Sequence, residues 1–259
     1  MVTLNKDKRY KIFNTYIDTY TFDETLKEIE RIILAGKPTQ HVVINAAKVN
    51  LMQKDKQLTE IVNSCSLINA DGASIVWAAK KLGIPLEERV TGIDLFLKLV
   101  EISSIKGYRI FLFGAQEEIV VKVKRVFKEK YPKIQIAGIR NGYFKEDEEA
   151  EIVNMIAQSN SDILFVAFSS PQKEFWINKY LDQLNVPFVM GVGGSFDIVA
   201  GSTGRAPLWM QKRGLEWFYR FLQEPGRMWK RYLIGNAKYI ILVYKTKFLQ
   251  KNIKRLEYD

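Results

Sequence analysis

Leu67-Ile-Asn-Ala-Asp71-Gly-Ala-Ser-Ile-Val-Trp-Ala-Ala-Lys-Lys-Leu82 sets the architecture of this chain. Leu67–Ala70 is a short apolar run with the character of a buried strand. It ends on an acid and a glycine, and Ala73–Leu82 then reads as a helix. The same unit recurs in both directions. Upstream, Phe22–Ala35 is a predicted helix with Leu26, Ile29, Ile32 and Ile33 on one face, and His41–Asn45 a strand. Lys11–Ile17 reads as one further strand and Lys56–Ser64 as a helix. Downstream, the helix Ile93–Ile105 precedes the strand Arg109–Phe113, which ends at Gly114 before a helix through Tyr131. Ile134–Ala137, Ile163–Phe168 and Phe188–Val192 are strands. Asp147–Ser159 and the segment from Pro171 to about Leu184 are helices. Such alternation predicts an α/β fold, a parallel sheet flanked by helices. Open sheets of this kind place their sites at the carboxyl ends of the strands.

Composition narrows the chemistry. The 259 residues are 47% hydrophobic, enough for a substantial core. Cys65 is the single cysteine, so no disulfide forms within the chain, which fits a reducing compartment. His41 is the single histidine, and its place at the start of a predicted strand points to packing rather than catalysis. Acid–base work therefore falls to carboxylates, and a zinc site of Cys and His ligands is not expected. Met1 to Lys11 lacks the apolar core of a signal peptide. The run Tyr239-Ile-Ile-Leu-Val-Tyr244 is far shorter than the ~20 residues of a spanning helix. A cytoplasmic protein without transmembrane segments is expected.

The formal net charge of +10 is concentrated in the tail. Between Arg205 and Arg255 thirteen Lys/Arg face two acids, whereas the first 204 residues are nearly neutral. The composition changes at Gly201-Ser-Thr-Gly-Arg205, a predicted loop or linker dividing a body domain at 1–200 from an appendage at 201–259. Trp209, Trp217 and Trp229 lie in that appendage. Leu215, Phe218, Phe221 and Leu222 could form one apolar helix face before Pro225-Gly226, and Met228, Trp229, Tyr232 and Leu233 a second. Basic helices with aromatic faces lie in membrane interfaces; the other reading is that these residues pack on the body.

Several strand ends carry polar groups. Asp71 is placed to act as a general base or to cap the following helix. The glycines of Gly191-Val-Gly193-Gly194 let backbone N–H groups approach an anion, or simply make a tight turn. Neither they nor Gly114-Ala-Gln-Glu117 match Gly-x-Gly-x-x-Gly, which disfavours a dehydrogenase. In Ser170-Pro-Gln172-Lys173-Glu174 the glutamine and lysine can donate to a sugar or phosphate and Glu174 can accept; a capping box would be one residue shorter. Arg89 can pair with a carboxylate or phosphate, or form a surface bridge with Glu87 or Glu88. No Asp-x-Asp pair occurs, so a sugar transferase built on this chain would stabilise its leaving group with Arg and Lys.

Taken together, Ile44-Asn45-Ala, Ala70-Asp71-Gly, Glu88-Arg89-Val, Gly142-Tyr143-Phe144, Ser170-Pro-Gln172-Lys-Glu174, Gly191-Val-Gly193-Gly194-Ser-Phe-Asp197, Arg205-Ala-Pro207 and Gly214-Leu-Glu-Trp217-Phe-Tyr-Arg220 resemble the WecG/TagA/CpsF family of bacterial glycosyltransferases, from about Tyr16 to Lys230. The resemblance implies a Rossmann-like core and a C-terminal appendage that docks on the membrane and completes the site. It implies an inverting, metal-independent transferase without cofactor. That enzyme would move N-acetylmannosamine from its UDP-sugar to a polyprenyl-diphosphate-linked N-acetylglucosamine, in teichoic acid or similar synthesis. N-acetylmannosaminuronic acid or a hexose, in capsule or exopolysaccharide synthesis, is the alternative donor.

Carried over by position, Asp71 is the catalytic base, and Asn45, Arg89 and Gln172 are pocket residues. Gly193 and Gly194 belong to the substrate loop. Arg220 and Arg227 hold the UDP diphosphate, and a third appendage cation falls at Lys230 or Arg231, where a lysine would lack the planar fork. Val43 replaces a threonine of some relatives. The partners implied are a UDP-sugar, a lipid-linked acceptor and the anionic inner face of the cell membrane, with room for a homo-oligomer. A nucleic-acid-binding module would use the basic tail but leave the strand-end motifs idle. A non-catalytic assembly scaffold would not need Asp71, Arg89 and Gln172.

Overall fold

The computed structural model describes residues 6–256. Its centre is a six-stranded sheet in the order β4-β3-β8-β7-β5-β6. The strands are β3 (Thr39–Ile44), β4 (Leu67–Ala70), β5 (Arg109–Gly114), β6 (Gln135–Arg140), β7 (Ile163–Ala167) and β8 (Phe188–Gly191). Every pairing is parallel. Because helices cover both faces, the strands are apolar on both sides. Along β5, Ile110 and Leu112 join a core with residues of α1 (Phe22–Ala35), α5 (Gly92–Lys106) and α6 (Glu117–Lys130). Phe111 and Phe113 turn the other way, to α7 (Glu149–Gln158) and α8 (Gln172–Leu184). A third cluster joins Val42, Ile44 and Ile68 to α2 (Ala46–Met52), α3 (Lys56–Ser64) and α4 (Ala73–Leu82).

The α/β architecture agrees with the sequence, with local corrections. Lys11–Ile17 is not one strand but a hairpin outside the main sheet, β1 (Arg9–Ile12) and β2 (Thr15–Asp18). Phe13 at φ 55° makes the turn, and Asn14 anchors it by donating from Nδ2 to Met52 O at 2.9 Å. The strand expected at His41–Asn45 ends at Ile44, where Asn45 accepts from the Lys48 N–H and starts α2. Pro171 precedes α8 rather than occupying its first turn.

Beyond α9 (Ser195–Val199) come α10 (Leu208–Lys212), α11 (Glu216–Gln223) and α12 (Pro225–Trp229). A π-helical turn, Lys230–Ile234, then leads into the 22-residue α13 (Gly235–Leu256), which the sequence reading did not anticipate. Tyr239 and Val243, one turn apart, are buried against the third cluster. Asn50 Nδ2 donates to Gly235 O at 2.7 Å and fixes the start of the helix. No helix among the described residues is long and apolar enough to cross a membrane.

Candidate active site

Four neighbouring strands, β4, β3, β8 and β7, bring the predicted residues to one edge. Asp71 follows β4, Asn45 follows β3, Gly193 and Gly194 follow β8, and Gln172 opens the helix after β7. Arg89 joins them through the backbone: Val90 N donates to Ala70 O at 2.9 Å, while Asp71 N donates to Ile44 O at 2.8 Å.

Asp71 caps nothing. Helix α4 starts at Gly72 without a side-chain cap. The carboxyl is held above its ordinary value, first by burial and then by the Glu216 carboxylate, against the lowering pull of Arg89, Arg220 and Lys48. A carboxylate denied full solvation binds a proton more readily, as a general base must.

Arg89 makes no bridge to Glu87 or Glu88. Its Nη1 donates to Glu216 Oε2 at 2.7 Å and its Nη2 to Gln211 O at 2.5 Å. The appendage is thus latched directly beside Asp71. Gly214 permits that approach: at φ 71°, a Cβ there would lie 2.5 Å from Ala73 Cβ. Arg205 adds a second latch to Asp94, whose other oxygen accepts from Thr91 Oγ1. Arg220 lies on α11, in the same helix as Glu216. Lys230 opens the π turn; the side chains of Arg227 and Arg231 lie outside the described ones.

The Ser170–Glu174 segment divides its roles. Glu174 is buried and engaged within the protein: Lys48 Nζ donates to its Oε1 at 2.6 Å and Ser170 Oγ at 2.8 Å. Burial pushes its pKa up, but Lys48, Lys173 and the hydrogen bonds from Lys48 and Ser170 outweigh it and hold the carboxylate below its ordinary value. Lys173 crosses over the glycine loop, where a Cβ on Gly191 would meet its Cδ at 2.8 Å. Gly191 therefore makes room for a lysine, and Gly193, at φ 55°, makes the turn beyond it. Sequence reasoning missed Lys48 and Glu216. Both lie at helical positions that read as ordinary solvated charge.

His41 is a core residue. Its Nε2 lies 2.9 Å from Asn69 Oδ1, and Asn69 Nδ2 donates on to Thr25 Oγ1 at 3.0 Å. Desolvation lowers its pKa from 6.5 to about 4. The unfolded chain binds the proton more tightly, so the stability of the neutral imidazole is present above pH 6.5 and is lost as pH falls towards 4. That loss amounts to about 3 kcal/mol. In urea unfolding at pH 7 and pH 4.5, His41→Gln is expected to lose less stability on acidification than the wild type.

The fold is thus an α/β parallel sheet with a carboxyl of raised proton affinity at its carboxyl edge and an arm carrying Arg220 latched beside it. Residues 10–253 match the glycosyl transferase WecG/TagA/CpsF family, and the chain belongs to this family of glycosyltransferases. It is 35% identical over 201 residues to the N-acetylglucosaminyldiphosphoundecaprenol N-acetyl-beta-D-mannosaminyltransferase of Bacillus subtilis strain 168, covering 78% of this chain and 76% of the relative. It is 34% identical over 242 residues to the enzyme of that name from Staphylococcus aureus strain MW2, covering 90% and 92%.

Proposed function

We propose that this enzyme transfers N-acetylmannosamine from UDP-N-acetylmannosamine to undecaprenyl-diphosphate-linked N-acetylglucosamine, with inversion and without a metal or cofactor. The observation that carries the reading is Asp71, raised in proton affinity at the end of β4 and flanked by Arg89 and the appendage's Arg220. Asp71 would take the proton of the acceptor hydroxyl as its oxygen attacks the anomeric carbon from the face opposite UDP. Arg220, with Arg227 and Lys230 or Arg231, would stabilise the departing diphosphate. Asn45 engages its Oδ1 in the α2 cap, which leaves the amide Nδ2 to donate to a sugar, as Gln172 also would. The names of the relatives support the donor and acceptor.

The appendage supports a peripheral position on the cytoplasmic face of the membrane. Of the twenty exposed large hydrophobic side chains among the described residues, thirteen lie between Leu208 and Leu249, so apolar exposure is concentrated there. They include Trp209, Trp217, Trp229, Ile241 and Phe248, in the part of the chain that carries the positive charge. Apolar surface with lysines fits an anionic leaflet, each surface cation adding ~1 kcal/mol.

A panel of UDP-sugars offered on anionic vesicles bearing the lipid acceptor, in EDTA, tests both parts. The expected result is an N-acetylhexosamine added from UDP-N-acetylmannosamine in preference to the other donors, at an undiminished rate in chelator. Preference for a uronic acid or hexose would replace the donor assignment, and loss of rate in EDTA would refute metal independence.

A further inference from the structure

The latch on Arg89 does more than hold the appendage in place. Arg89 and Asp71 flank the last residue of β4: the N–H after Arg89 bonds Ala70 O, and Asp71 is the next residue along. An arginine so near a carboxylate would normally pair with it and weaken it as a base. Here the guanidinium is turned to α11, with one arm on Glu216 and the other on Gln211 O. Gln211 is itself held, since its Nε2 donates to Ala206 O at 2.6 Å. The α10–α11 turn then sits on Ala73, two residues beyond Asp71.

We propose that Glu216 is a positioning residue: by occupying Arg89 it keeps that guanidinium from Asp71 and makes a competent base conditional on a docked appendage. The proposal rests on the reading of Asp71 as the base. Four charged groups face Asp71: Glu216 and Arg220 from α11, Arg89 from the loop before α5, and Lys48 from α2. Glu216 is the one anion among them, and it acts in two ways with the same sign. It opposes ionisation of Asp71 directly, and it pairs with Arg89, the cation that pulls hardest on that carboxyl. An undocked appendage withdraws Glu216 and Arg220 together and leaves Arg89 beside Asp71. The arm that brings the leaving-group cations thus also prepares the proton acceptor.

The test is a carboxyl 13C NMR titration of Asp71 in the ligand-free full chain, assigned by loss of the signal in Asp71→Asn. Glu216→Gln keeps an oxygen for Arg89 but removes the charge, and it is expected to move the Asp71 midpoint to lower pH. Glu216→Asp keeps the charge and is expected to restore the midpoint towards wild type; Arg89→Gln moves it upward. In the transfer assay, the acid limb of kcat/KM for Glu216→Gln follows the same downward shift and kcat falls several-fold. An Asp71 midpoint unmoved in Glu216→Gln overturns the proposal. The NMR titration needs no turnover, so a chain with no transferase activity would overturn the function assigned above without deciding this result.

Discussion

Asp71→Asn is expected to lower kcat by about 10²–10⁴-fold while leaving UDP affinity within a factor of about two. The amide keeps the shape of the carboxylate but cannot accept the acceptor's proton. Its stability should move the other way. The folded carboxyl titrates above its unfolded value, mainly because the half-buried group is desolvated. The stability that the acid contributes is thus fully present below the unfolded pKa and is lost as pH rises through the folded one. At neutral pH the partly desolvated charge is a cost that asparagine removes. Thermal melts at pH 7 should place the variant at or above the wild type, with the difference closing on acidification. A variant that is both inactive and much less stable would indicate a structural role for Asp71 instead.

Glu174→Ala is expected to cost about 3–5 kcal/mol, a large share of the ~5–15 kcal/mol of a folded domain. Lys48 and Glu174 have side chains only 4% and 2% exposed and lie 2.6 Å apart. Removing the carboxylate leaves an ammonium buried without its counter-charge and frees Ser170 Oγ from its acceptor. Replacing both charges, Lys48→Met with Glu174→Leu, should recover most of the loss, because the penalty comes from the orphaned charge rather than from lost attraction. Urea unfolding of the three proteins reads this directly. The pair also ties α2 to the first turn of α8, where Gln172 sits, so Glu174→Ala is expected to lower transfer activity even where it stays folded. Because Glu174 titrates below its ordinary value, the stability it adds is present above the unfolded pKa and declines as pH falls.

The sheet was legible because each central strand is a short apolar run ended by glycine or a polar residue. Leu67–Ala70, Lys56–Ser64 and Ala73–Leu82 match the structure to the residue. The hairpin at Phe13-Asn14 was not legible, since strand-favouring residues (Ile12, Phe13, Thr15, Tyr16 and Ile17) continue through the turn with no glycine or proline to mark it. Helix α13 was also missed. Its buried Tyr239 and Val243 sit among exposed Ile240, Ile241 and Tyr244, so the apolar run shows no single face.

At the site, motif order singled out Asp71, Asn45, Gln172 and the glycines as candidates but not their neighbourhood. That depends on the strand order β4-β3-β8-β7, which is fixed by crossover connections rather than by any local pattern. Contacts across long separations were out of reach for the same reason. Glu216 lies 127 residues from Arg89, and Glu174 lies 126 from Lys48. A capping or ligand-binding reading of Glu174 fitted its sequence position; only packing shows it to be an internal counter-ion.

The most direct test of the central claim is UDP release by the wild-type enzyme from UDP-N-acetylmannosamine, with and without polyprenyl-diphosphate N-acetylglucosamine. Release that requires the acceptor and equals the disaccharide-lipid formed is the predicted result. Folded protein that shows no acceptor-dependent UDP release, with this donor or any other UDP-sugar, would contradict it.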